Sequence, residues 1–187
     1  MTEFWLIRHG QTDWNLTGRW QGQSENAPGL NNTGRAQALA ILDLLPNAKF
    51  SAIYSSDLLR ARQTAELIAD PLGLTIIFEP RLREMNLGIW EGMLSSDIEA
   101  QYPHELAERA RDPFHTRAPQ GESPSDMTPR VISVVDEIAK ERADKPAIIV
   151  SHGVALAIII CHARGISLNN TYDYIPENAK PYRVAWK

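Results

Sequence analysis

Two histidine–glycine pairs stand at the ends of short apolar runs. Phe4–Ile7 runs into Arg8-His9-Gly10, and Ala147–Val150 runs into Ser151-His152-Gly153. A third apolar run, Ala52–Tyr54, leads into a stretch bearing Arg60, and a fourth, Leu74–Phe78, precedes Glu84 by a few residues. Together these side chains have a specific chemical meaning. Arg8, Arg60 and a protonated His152 would make a cationic pocket whose fork-shaped donors suit phosphate. The same charges would keep His9 neutral and nucleophilic. A backbone carbonyl accepting the Nδ1 proton would leave Nε2 free to attack phosphorus. Fixed donors would stabilise the charge on the phosphoryl oxygens in the transition state. The leaving alkoxide then needs a proton, for which a carboxylic acid such as Glu84 is the natural source.

Each residue alone has a duller reading. A lone histidine is usually structural, Arg60 could be a solvated helix charge, and Glu84 a surface acid. Arg62 is expected to be a surface charge, lying off the catalytic side. His104, His115 and His162 have no chemical context, and Cys161, on an apolar helix, reads as core. What separates the set from these readings is convergence. In a sheet built from alternating strands and helices, the loops at the carboxyl ends of the strands form the ligand crevice.

The elements that must position them can be read from periodicity. Asn31–Gly34 offers capping chemistry for a helix whose face is Ala38, Ile41, Leu42 and Leu45, stopped by Pro46. Ser56 or Asp57 could cap a second helix with Leu58, Ala61, Ala65 and Ile68 on one face, closed by Pro71 and Gly73. Between Gly121 and Thr128 two helix starts compete, Ser123-Pro124 and Thr128-Pro129, for a helix reaching about Arg142. Val154–Arg164 is an apolar helix ended by Gly165, and Tyr182–Trp186 a last strand. Residues 93–120 carry no strong period and read as a partly helical excursion. The pattern predicts a single α/β domain over 1–187, a three-layer sandwich with a mostly parallel central sheet and helices on both faces.

Composition narrows the partners. Of 187 residues, 43% are hydrophobic, enough for a packed core, and 19 Lys+Arg against 23 Asp+Glu leave a net charge of −4. That balance argues against nucleic acid or an anionic membrane as partner. The longest apolar run, Val154–Cys161, is far below the ~18 residues of a membrane span. One cysteine and no signal-like start fit a reducing, cytoplasmic setting. Oligomeric state is open between monomer and homodimer.

The blocks carrying these residues resemble the histidine phosphatase superfamily, the phosphoglycerate-mutase-like proteins. They are Leu6-Ile7-Arg8-His9-Gly10-Gln11-Thr12 with Trp14-Asn15, Ser55 through Ala65, Glu84 through Gly92, Gly121-Glu122-Ser123 and Ser151-His152-Gly153. They occur in family order across nearly the whole chain. The resemblance implies a phosphohistidine on His9, phosphate binding by Arg8, Arg60, His152 and Gly153, and proton donation by Glu84. Asn15 and Gln21 match positions that reach the phosphate in relatives, and Glu122-Ser123 a segment near the substrate. Pro129 departs from the pattern and bears on that last segment.

Chain length, the short 93–120 excursion and the block at Glu84 are most similar to broad-specificity and alpha-ribazole phosphatases. The expected activity is hydrolysis of a small phosphorylated metabolite, with no cofactor and no metal. The alternatives are cofactor-dependent mutase-type phosphoryl transfer and a non-catalytic phosphate-binding module. A metal site drawn from His9, His152 and Glu84 would set Arg8 and Arg60 beside the metal, and no close-spaced ligand pair exists. Arg109, Arg111, His115 and Arg117 could meet a second anionic group, although a solvated basic face is the simpler reading.

Overall fold

The apolar run that opens the chain becomes a seven-residue strand, β1 (Thr2–Arg8), at the heart of the sheet. The computed structural model describes residues 1–142 and 145–187. Strands β2 (Ile53–Ser55), β3 (Ile76–Phe78), β4 (Ala147–Ser151) and β5 (Pro181–Trp186) complete a five-stranded sheet in the order β3-β2-β4-β1-β5. The first four strands of that order are mutually parallel, and β5 runs antiparallel to β1. The sheet is therefore mixed, as its mostly parallel reading required, with the exception at one edge.

Side chains alternate across this sheet and so feed two cores. Phe4, Leu6, Tyr54, Ile149 and Val184 point to one face, where helices α6 (Pro124–Glu141) and α7 (Gly153–Arg164) cover them. Ile7, Ile53, Ile148 and Val150 point to the other, under α3 (Leu59–Leu72) and the turn that follows α2 (Asn32–Ala40). Helix α7 buries every residue from Gly153 to Cys161, which explains why its sequence is apolar all round rather than striped. Cys161 is core, as expected.

Several boundaries differ from the sequence reading, each for a local reason. The helix begun by Asn31, whose side chain accepts from the Gly34 amide, ends at Ala40 and tightens into a 3₁₀ turn over Ile41–Asp43. Neither Ser56 nor Asp57 caps α3. Leu58 occupies that position without a side-chain bond, because Asp57 is paired with Arg83 at 2.6 Å and the Ser56 hydroxyl faces His152. Pro71 lies within the last turn, and Gly73 closes the helix in the left-handed conformation. Ser123 wins the contest for α6, since its hydroxyl and the Asp126 carboxylate cap each other's amides reciprocally. Pro129 is then an interior residue, and the Thr128 hydroxyl donates back to the Pro124 carbonyl at 2.8 Å instead of capping. The 93–120 excursion folds as two short helices, α4 (Ser95–Gln101) and α5 (Pro103–Arg111), after the five-residue α1 (Asp13–Thr17) near the amino end.

One close approach ties α2 to the chemistry. A Cβ on Gly10 would meet the Gly34 carbonyl oxygen at 2.4 Å, and a Cβ on Gly34 would meet the Gln11 carbonyl oxygen at 2.1 Å. Two glycines let the first turn of α2 press directly on the loop after β1.

Candidate active site

The register of β1 and β4 brings the two histidines together. Arg8 pairs with Ser151 across the parallel ladder, so His9 and His152 leave adjacent strands at the same level, with ring centroids 5.3 Å apart. The His9 amide still donates to the Ser151 carbonyl at 3.0 Å. Beyond it the loop is held from both sides. The Gly10 amide donates to the Thr64 hydroxyl at 3.1 Å, and the Asn178 amide nitrogen donates to the His9 carbonyl at 2.7 Å.

The imidazole of His9 is fixed in one tautomer. Its Nδ1 lies 2.7 Å from the Gly10 carbonyl oxygen, which can only accept, so Nδ1 carries the proton and Nε2 the lone pair. The Arg60 Nε donates to that Nε2 at 3.2 Å. Burial holds the ring well below the usual histidine range, and the Arg60 and Arg8 guanidinium charges add to it, against a smaller opposing pull from the Gly10 carbonyl. Desolvation, more than the neighbouring charges, is the larger cause.

Arg60, read alone, could have been a solvated helix charge. It is instead 2% exposed, and its Nη2 donates to the Gly22 carbonyl at 2.8 Å. Burial draws it down to about 10, so it is still a cation at neutral pH. Arg8 donates from Nη1 to the Pro176 carbonyl at 3.0 Å, while its Nε is buried with no partner among the described residues. Arg62 is on the surface, paired with Glu66.

Glu84 stands at the opening of α7. One carboxylate oxygen accepts the Met85 amide at 2.9 Å and the other the Val154 amide at 3.2 Å. The loop beneath it is gripped by Arg130, whose guanidinium donates to the carbonyls of Arg81, Arg83 and Glu84 at 2.8, 2.8 and 3.0 Å. The Glu84 carbonyl also accepts from Gln23 Nε2 at 2.8 Å.

Three expectations need correction. His152 is fully buried, and burial, then Arg60, His9 and Arg8, push its imidazole well below the usual range, so it is neutral where a cation was expected. Glu122 is committed to the scaffold: its carboxylate pairs with Arg130 at 3.0 Å and accepts the Asn86 amide at 2.9 Å. Ser123 is buried as the cap of α6. Neither is among the residues lining the cavity in front of His9.

That cavity has a volume of about 350 Å³. Arg8, His9, Asn15, Gln21, Arg60 and Glu84 all line it. Asn15 Oδ1 accepts the Thr12 amide at 3.0 Å in a capping box for α1. Gln21 Oε1 accepts the Thr12 hydroxyl at 3.0 Å. Gly153 and His152 sit behind the lining; a Cβ on Gly153 would lie 3.6 Å from the Arg8 guanidinium carbon.

The far wall comes from residues the sequence did not single out, Trp20 and Tyr172 among them. Arg109 is also there, boxed over the rings of Trp20 at 5.0 Å and Tyr172 at 4.9 Å, with Nη2 donating to the Tyr172 hydroxyl at 2.6 Å. It is no solvated basic face. Arg117 and His115 are, pairing with Asp126 and Asp112 at the surface. Among the described residues no group of three His, Cys, Asp or Glu side chains could hold a metal ion. His104 is exposed, and His162 stacks on Trp186 at 4.9 Å.

A buried histidine, two arginines and an acid meet at the strand ends of a mixed α/β sheet. The chain belongs to the histidine phosphatase superfamily (branch 1), whose model matches residues 4–187. It is 34% identical over 169 residues to the probable phosphoglycerate mutase GpmB of Erwinia tasmaniensis, covering 90% of this chain and 78% of that one. It is 31% identical to phosphoserine phosphatase 1 of Hydrogenobacter thermophilus, covering 96% and 84%. Among solved structures it is similar to mycobacterial glucosyl-3-phosphoglycerate phosphatase in complex with VO3, at TM-score 0.86 and 33% identity, covering 98% and 92%. The alpha-ribazole phosphatase of Shigella flexneri superposes at TM-score 0.88 with 25% identity, covering 99% and 91%.

Proposed function

We propose that the protein hydrolyses small phosphomonoesters through a phosphohistidine on His9, with Glu84 as the general acid. The observation that carries this reading is the state of His9. Its proton is committed to the Gly10 carbonyl, and its Nε2 lone pair meets Arg60 in a cavity that Glu84 also lines. In the first step the Nε2 lone pair forms a bond to phosphorus as the bond to the leaving oxygen breaks, and Glu84 gives that oxygen its proton. In the second, water attacks the phosphohistidine and loses a proton to Glu84, regenerating His9 and releasing phosphate. Arg8 and Arg60 bind the phosphoryl oxygens and stabilise their charge, with Asn15 and Gln21 beside them.

A cavity of about 350 Å³ is at the small end of ligand sites, which span about 300–1,000 Å³, and so supports a compact metabolite. Mutase-type transfer is the second reading, favoured by the likeness to GpmB. The test is to trap the protein during turnover. Acid-labile phosphate is expected on wild-type protein and absent from His9→Ala, which also loses turnover. Phosphate on a serine, or on nothing, overturns the mechanism. A screen of phosphorylated metabolites, run beside a mutase assay on 3-phosphoglycerate, separates the two readings.

A further inference from the structure

His152 presents an unresolved conflict between chemistry and environment. It sits 5.3 Å from the proposed nucleophile, where a hydrogen-bond donor to the phosphoryl group is wanted. Yet the charged groups that act on it are cationic: Arg60 from α3, Arg8 from β1 and Arg130 from α6, with His9 alongside. A neutral imidazole has only one N–H, so its usefulness depends on which nitrogen carries the proton.

Ser56 decides that question. It follows β2 directly, and its amide donates to the Val150 carbonyl at 3.0 Å, which sets it beside the end of β4. Its hydroxyl oxygen lies 2.8 Å from His152 Nε2 and accepts the Leu58 amide at 3.3 Å. Ser56 is buried, so its hydroxyl hydrogen needs a protein acceptor, and among the described residues the Nε2 lone pair is the one within reach. The remaining nitrogen, Nδ1, must then bear the ring proton. Nδ1 is buried and has no partner among the described residues. Buried polar groups are rarely left unpaired, and this one lies beside the proposed nucleophile.

We infer that Ser56 is a positioning residue that holds His152 as the neutral Nδ1–H tautomer, so that an uncharged imidazole donates to the phosphoryl group. The inference rests on the reading of this pocket as a phosphoryl site. It removes the need for a cationic His152 in a place where a third positive charge is unfavourable. A neutral histidine can serve as an electrophilic donor in this way when its environment keeps the imidazolium from forming. No bond is made or broken at His152; it supplies a fixed dipole, and Ser56 acts through it.

The experiment reads the tautomer directly from imidazole nitrogen chemical shifts of ¹⁵N-histidine-labelled protein near neutral pH, with His152→Gln used to assign the signal. The expected wild-type pattern is a protonated Nδ1 and a bare Nε2. Ser56→Ala should bring in Nε2–H signal and lower the single-turnover rate by roughly 10–10³-fold, approaching the loss of one preorganised donor. Ser56→Thr, which keeps the hydroxyl, should restore both the Nδ1–H pattern and the rate. A wild-type ring protonated on Nε2, or on both nitrogens, overturns the inference, and that result does not depend on any variant folding. Failure to trap phosphate on His9 would instead remove the phosphohistidine reading while leaving the tautomer measurement intact.

Discussion

Replacing Glu84 with Gln keeps the shape and removes the capacity to exchange a proton at the cost of one acceptor, so it probes the proposed acid step. The structural cost can be bounded first. The carboxylate accepts two amides, those of Met85 and Val154. A carboxamide oxygen can face one of them, leaving an NH₂ against the other, at about 1.5–3 kcal/mol for one lost hydrogen bond to a carboxylate. That corresponds to a fall in melting temperature of about 2–4 °C per kcal/mol for a chain of this size. The chemical cost is larger. A positioned general acid contributes about 10²–10⁴-fold, or about 2.7–5.4 kcal/mol at 1.36 kcal/mol per tenfold. The two are separable because only the second depends on the leaving group. Alkyl phosphates expel a strongly basic alkoxide and need the proton; nitrophenyl phosphate expels a phenolate that scarcely does. The assay is single-turnover phosphorylation of His9 with each substrate type, since the proposed dephosphorylation uses Glu84 as a base for both. Glu84→Gln should lose the alkyl reaction by about two to four orders of magnitude and the nitrophenyl reaction far less. Equal slowing would refute the reasoning and make Glu84 a residue that positions the phosphoryl group.

Arg60→Ala should weaken competitive inhibition by phosphate and by vanadate together with kcat/KM, because its guanidinium faces His9 Nε2 directly; undiminished inhibition would reassign it to the scaffold. Stability should fall on acidification below the unfolded histidine value of about 6.5. His9 and His152 are both held below it in the folded chain, so there the unfolded state binds more protons, and each histidine contributes a slope of up to about 1.4 kcal/mol per pH unit. Urea midpoints between pH 7 and 5 check this: wild type should lose stability across that range and His9→Ala should lose less, whereas equal losses would contradict the burial argument.

The residues at strand ends were legible because periodicity locates strands and a strand's end locates a crevice. His9, Arg8, Arg60 and Glu84 follow from that logic, and the structure brings all four to one cavity. The charge of His152 did not follow, because desolvation depends on what packs around a ring and no local pattern records it. Glu122 and Ser123 lay in the right block, but their polar atoms are taken by Arg130, Asn86 and Asp126, partners that only the fold supplies. Arg109 looked like a surface charge because its aromatic box is assembled from positions 20, 90 and 172. Ser56 offered a capping signal strong enough to hide its pairing with a residue ninety-six positions away.

The register that sets Arg8 opposite Ser151 also governs how the site can come apart. The two histidines hang from neighbouring strands at the centre of the sheet, with β2 and β5 flanking them. Separating them requires breaking the parallel ladder itself, and such central ladders open only with global unfolding. The amides of β1 and β4 should therefore rank with the slowest-exchanging in the chain, while the wall around Arg109, carried on short helices, can breathe on its own. Thermal fluctuation should reach the wall around Arg109 well before it reaches the paired histidines.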